Sequence, residues 1–192
     1  IIQVFGPEPP HFYVAVYILN KLFKPDGFDI NFGCPARSVV NNGAGSCLFL
    51  TPEKAIQIIN EVKRAAGPLP VSIKLRASYK HIPALEFLES LGDAPYDNIT
   101  IHMRSYEQVH HGEPNWDSGK FVTEFAHLRN KTCIINGGLD SGVKAKAALE
   151  HTGADGVMVA QASLGNPFIF REIKNALNSI PHIPATTTER IN

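Results

Sequence analysis

The chain of 192 residues is poor in cysteine: it has three, Cys34, Cys47 and Cys133, with no C-x-x-C spacing and no paired histidines beside them. That pattern supports neither a disulfide framework nor a zinc or other metal site, and it fits a reducing, cytoplasmic location. Long apolar runs are missing as well. None approaches the ~20 residues of a membrane-spanning helix, so no membrane partner is expected. Net charge is absent, with Lys+Arg and Asp+Glu both at 18. A chain without a summed positive field has no electrostatic footprint for a nucleic acid, so any such contact has to be local. There is no initiator methionine, and Ile1-Ile2-Gln3-Val4-Phe5-Gly6 reads as a strand, not a signal peptide. The first residue is expected to lie inside a longer pattern.

What is present is ordinary for a domain with a core: 44% hydrophobic and 19% charged residues. Short β-branched runs recur, each followed by a longer stretch with helical spacing, the pattern of βα units around a parallel sheet. Six strands are expected: Ile1–Phe5, Phe28–Phe32, Val71–Arg76, Ile99–His102, Thr132–Asn136 and Gly156–Ala160. Thr51-Pro52 opens a helix with Thr as N-cap and Pro in the first turn. Its apolar face is Ile56, Ile59, Val62 and Ala66, and it ends at Gly67-Pro68. Ser141 caps a second helix carrying Val143, Ala147 and Leu149, closed by Gly153. Near-continuous apolar strands such as Cys133-Ile134-Ile135 and Val157-Met158-Val159 predict a sheet covered on both faces. Ser179–Asn192, rich in Pro and Thr, reads as a tail.

In parallel β/α sheets the ligand faces the C-terminal ends of the strands, because that rim carries the βα loops. Five of the six expected strands end there in polar or glycine groups: Asn31 with Cys34, Lys74 with Arg76, His102 with Arg104, Asn136-Gly137-Gly138, and Gln161. Gln3 on the first strand is a sixth candidate. Cys34 lies between Gly33 and Pro35 and ahead of Gly43-Ala44-Gly45, which places its thiol on an irregular rim loop instead of in packed core. Cys47 and Cys133 sit in apolar segments and read as packing residues. Lys74 alternates with Ile73 and Leu75, so it shares a face with Ser72 and Arg76. An inward lysine needs an anionic or acceptor partner, which a cofactor could supply; the other reading is a pair of solvated rim cations. His102 and Arg104 repeat this arrangement on the next strand. The Gly137-Gly138 turn and the Ala160-Gln161 loop follow the last two strands, where exposed backbone N–H groups commonly form a phosphate site. His110 and His111 occupy a long loop running through Gly112 to Trp116-Asp117, and solvated and substrate-facing readings are equally open for them. The other histidines have no partner pattern.

The segments Gln3-Val4-Phe5-Gly6, Asp29-Ile30-Asn31-Phe32-Gly33-Cys34-Pro35, Val71–Arg76, Ile101-His102-Met103-Arg104, Asn136-Gly137-Gly138 and Gly153–Val159, in that order, make the chain resemble the tRNA-dihydrouridine synthases. These are flavin enzymes with a TIM (β/α)8-barrel catalytic domain and a small C-terminal helical domain. The resemblance runs from Gln3 to about Phe170 and implies the following. FMN lies across the barrel mouth on Gln3, Lys74 and His102, with its phosphate on the backbone around Asn136, Gly137, Gly138, Ala160 and Gln161. Asn31, Arg76 and Arg104 contact a flipped-out uracil of tRNA, since a base is unreachable inside a stacked helix. Hydride passes from reduced FMN to uracil C6, Cys34 protonates C5, and NADPH is the reductant. This role suits a thiol that holds its proton until needed. Two departures stand out. The family usually carries Arg where this chain has Ala160-Gln161, which removes a charge from the phosphate, and Ser46-Cys47 replaces a pair of small apolar residues. Because Gln3 matches the third family strand, residues 1–175 are expected to form an incomplete barrel of about six βα units, with 176–192 a tail or the start of the helical domain. Two other readings are an FMN-dependent reductase or dehydrogenase of a free pyrimidine, and a non-catalytic barrel remnant.

Overall fold

The computed structural model describes residues 1–181, 185, 186 and 189. Along the chain come β1 (Ile2–Val4), α1 (Pro9–Phe23), β2 (Phe28–Asn31), the short α2 (Arg37–Asn41), a 3-10 turn (Gly45–Leu50), α3 (Pro52–Ala66) and β3 (Val71–Arg76). A small hairpin follows, β4 (Ser78–Tyr79) with β5 (Ile82–Pro83), and then α4 (Ala84–Ser90) and β6 (Asn98–His102). The remainder is α5 (Trp116–His127), β7 (Thr132–Asn136), α6 (Gly142–Thr152), β8 (Gly156–Met158), a 3-10 turn (Gln161–Ser163) and α7 (Ile169–Leu177). All six expected strands form, three of them one or two residues shorter at an end and β6 starting one residue earlier, and they pair in parallel in the order β1-β2-β3-β6-β7-β8. The sheet stays open: β1 and β8 are edges, so no barrel closes.

Alternation along each strand divides the sheet into two unlike faces. Ile30, Ile73, Leu75, Ile99, Ile101, Cys133 and Ile135 are fully buried against the helices and supply most of the core. The opposite face carries Gln3, Asp29, Asn31, Ser72, Lys74, Arg76, Thr100, His102 and Asn136. Coverage by apolar packing on both faces is therefore a corrected expectation. Only the outer face is apolar and sealed, and on the edge strand β8 Val157 and Met158 are half-buried.

Helix α3 begins and ends as expected, with Pro52 in its first turn and Gly67 after its last residue, although the Thr51 side chain makes no capping bond. Ser141 does cap α6, accepting from the Lys144 N–H at 3.3 Å, and Gly153 closes that helix in the left-handed region at φ 69°. Its buried face is Ala145 and Ala148, however, while Val143 is 77% exposed. Small residues there let α6 lie close to the sheet and to α7. Trp116 and Asp117, read as loop, open α5 behind the N-cap Asn115, whose side chain accepts from Ser118 N–H. Helix α7 continues to Leu177. The tail read as starting at residue 176 lies in part outside the described residues.

Candidate active site

A cavity of about 420 Å³ opens at the C-terminal ends of the strands. It is walled by all twelve residues picked out on the rim: Gln3, Asn31, Cys34, Lys74, Arg76, His102, Arg104, Asn136, Gly137, Gly138, Ala160 and Gln161. The parallel register explains the convergence. Asn31 pairs with Lys74, Arg76 with His102, His102 with Asn136, and Asn136 with Met158, so residues far apart in sequence form two rows at one rim. His110 joins them in the wall, and His111 does not.

The Cys34 loop is held from three sides. The Asn31 side-chain oxygen accepts from Gly33 N–H at 3.0 Å and Cys34 N–H at 2.9 Å. The Cys34 carbonyl accepts from Ser46 Oγ at 3.1 Å and from Ser46 N–H at 3.3 Å. Ser46 is thus more than a packing variant. Arg76, 3% exposed, donates from Nε to the Gly33 carbonyl at 3.0 Å and from Nη1 to the carbonyls of Ser105 and Val109, at 3.0 and 2.7 Å. It therefore ties the cysteine loop to the loop carrying His110.

The electrostatics favour an anion. Burial, with Arg76 next and Asp29 opposing, pulls the Lys74 ammonium down to about 8. No described protein group forms an ion pair or hydrogen bond with it, so the partner that an inward lysine needs is not supplied by an adjacent carboxylate. His102 is pushed down to about 3 by burial and by Arg76, Lys74, Arg104 and His110. It is therefore a neutral imidazole near pH 7. Its Nδ1 accepts from the Arg104 N–H at 3.2 Å, which leaves the hydrogen on Nε2 as a donor. Gly137 has φ 104°, and a Cβ there would meet the His102 ring at 2.8 to 3.2 Å, so only glycine lets the strand end and the imidazole share this space. The backbone N–H groups of Gly137, Gly138, Ala160 and Gln161 donate to no protein acceptor among the described residues. Asn136 donates its amide to the Met158 carbonyl at 2.8 Å, joining the two loops that present those donors.

These donors and unneutralised cations suit a phosphate-bearing cofactor. A model of the dihydrouridine synthase (Dus) family matches residues 1–191. The chain belongs to the dihydrouridine synthase family. It is 30% identical to a probable tRNA-dihydrouridine synthase of Treponema pallidum, covering 99% of this chain and 58% of that protein. Identity to tRNA-dihydrouridine synthase B of Escherichia coli K12 is 32%, covering 99% and 59%. The chain therefore spans somewhat under two thirds of the length of these relatives. Among solved structures, DHODH of Eimeria tenella superposes with a TM-score of 0.61 at 12% identity, over 86% of this chain and 52% of its own. The YdjI aldolase of Escherichia coli K12 does so at 0.57 and 17%, over 94% and 62%. Both likenesses are of fold, and the fold is the TIM-barrel type, left open here.

Within this dihydrouridine synthase chain, sequence reasoning passed over Asp29, although its alternation with Asn31 on β2 was a usable signal. It also gave no role to Ser105 or Val109, whose contribution is a backbone carbonyl that carries no residue signature.

Proposed function

We propose that this chain houses the reaction centre for reducing uridine to 5,6-dihydrouridine in tRNA, as part of a cytoplasmic flavoenzyme. The observation that carries the reading is the convergence on one cavity of Cys34, three cations and four backbone N–H groups that have no acceptor among the described residues. When bound, reduced FMN supplies hydride to uracil C6, its electrons coming from NADPH.

The chain's own residues bind, orient and protonate. Lys74 as a cation and the His102 Nε2–H as a neutral donor would hold the flavin, and Gln3 lines the same cavity. The N–H groups of Gly137, Gly138, Ala160 and Gln161 would receive its phosphate. Gln161 adds a neutral amide where the family usually has a cation, so affinity rests on Lys74 and the backbone. For the base, Arg76 retains Nη2 beyond its three loop contacts. Asn31 retains a second amide hydrogen, and Arg104 donates from Nε to the Gly112 carbonyl while its other nitrogens stay available. Cys34 Sγ delivers a proton to C5 and is reprotonated from solvent through the open mouth of the cavity.

The test is a comparison of the chain with its Cys34→Ala variant for bound flavin and for uridine reduction in tRNA and in free uracil. Expected is unchanged flavin absorbance with at least a roughly 100-fold loss of tRNA reduction, the usual size of a general-acid contribution. Full turnover in the variant overturns the role of Cys34. Preference for free uracil overturns the choice of substrate, and a protein that cannot be reconstituted with FMN overturns the flavin reading.

A further inference from the structure

Asp29 is an acidic residue in the interior of strand β2, 7% exposed, on the sheet face whose strand ends line the cavity. Its burial raises the carboxyl above its usual range, while hydrogen bonds from Gln3 and Ser72, and the charge of Lys74, oppose that rise. A buried carboxylate is expensive unless its lone pairs are used. Here they are: Gln3 Nε2 donates to Oδ2 at 2.6 Å and Ser72 Oγ donates to Oδ1 at 2.5 Å. The register places the three residues in one row, Gln3 opposite Asp29 and Asp29 opposite Ser72.

The row continues into the catalytic loop. Gln3 Oε1 accepts from Asn31 Nδ2 at 2.9 Å, and Asn31 Oδ1 accepts from the N–H groups of Gly33 and Cys34. The direction of every amide in this row is set from both ends. The carboxylate only accepts, so Gln3 must turn its NH2 toward it and its oxygen toward Asn31. The two loop N–H groups only donate, so Asn31 must present its oxygen to them. A reversal at any link sets donor against donor at the turn that carries the thiol.

We propose that Asp29 is a positioning residue, acting through Gln3 and Asn31 to set the amide orientation that holds the Cys34 turn. Its catalytic meaning rests on the proposed role of Cys34, but the relay is a property of the protein without flavin or tRNA. Asp29→Leu, the single variant, takes the acceptor away from the Gln3 NH2, and the double variant Asp29→Asn with Gln3→Glu moves the acceptor-only carboxylate one link along, with the charge kept in the row and the Ser72 hydroxyl donating to the new amide oxygen. The carboxylate introduced on β1 then accepts from the new amide on β2 and from Asn31, and the Asn31 oxygen again faces the loop.

Amide hydrogen exchange of Gly33 and Cys34, read by NMR in the ligand-free chain, is the measurement. The single variant is expected to speed exchange at these two amides about tenfold, the weight of one hydrogen bond in a partly buried site. The double variant should return both to the original rate. If the single variant does not fold, folding of the double variant with both amides protected is the supporting outcome. Unchanged exchange in the single variant, acceleration spread evenly over the sheet, or a double variant no better than the single one each overturns the relay. None of these outcomes depends on whether uridine is reduced.

Discussion

A single atom decides residue 137. Glycine there avoids a Cβ that would press on the His102 ring and also accepts φ 104° without strain. Gly137→Ala is expected to destabilise the chain by about 2 kcal/mol or more, from backbone strain and ring displacement together. Denaturant unfolding measures the loss, and a stability within error of the original would remove the packing argument. Lys74 is a second case at this scale. Because its ammonium is held near 8, the cavity loses a cation as pH rises through that value. FMN affinity, followed by fluorescence quenching, is expected to weaken above about pH 8. In Lys74→Met it should be weaker throughout and lack this step; a flat profile in the unaltered chain would contradict it.

At the level of elements, the site depends on short connections that hold strand ends in place. Helix α6 starts immediately after the Gly137-Gly138 loop, and its first turn is fixed by the Ser141 cap. Ser141→Ala is expected to lower stability by about 1 kcal/mol, the usual value of an N-cap, as read from the unfolding midpoint. FMN binding should weaken with it, since the cap sets the approach of the loop to the cavity. Periodicity identified this helix, and its cap and its closing glycine, from sequence. Of the apolar residues it picked out, Leu149 packs against the main core but Val143 is exposed, and the buried positions are Ala145, against Ile169 and Ile173 of α7, and Ala148, in the main core. Which side of a short, weakly amphipathic helix is buried depends on its neighbours.

For the molecule as a whole, charge is neutral in sum and uneven in place. Lys74 and Arg76 come from one strand and Arg104 from the loop after the next, and with His110 they surround His102. His102 is therefore protonated in the unfolded chain at a pH where the folded protein keeps it neutral. Its folded value lies below the ordinary 6.5, near 3, so the unfolded state binds the extra proton between them and stability falls as pH falls. The shift of His110 is also downward and acts in the same direction. Between pH 6.5 and about pH 5 the His102 share is about 2 kcal/mol. Thermal unfolding of the chain and of His102→Gln across this range should show a shallower acid loss in the variant. Parallel curves would mean that His102 is not the group responsible.

Sequence alone determined the strand positions, the rim on which polar groups gather and all twelve residues picked out for the cavity wall, because strand alternation and βα order are local and repetitive. It also carried the family, through segments whose order is more specific than any one of them. Tertiary structure decided the rest. It left the inner face of an open sheet polar where near-continuous apolar runs suggested cover on both sides, put His110 in the wall, and turned Ser46 into an anchor for Cys34. Above all it joined Ser72, Asp29, Gln3, Asn31 and Cys34 into one directed chain of hydrogen bonds. That link crosses three strands, and only the register between them brings its donors and acceptors within reach.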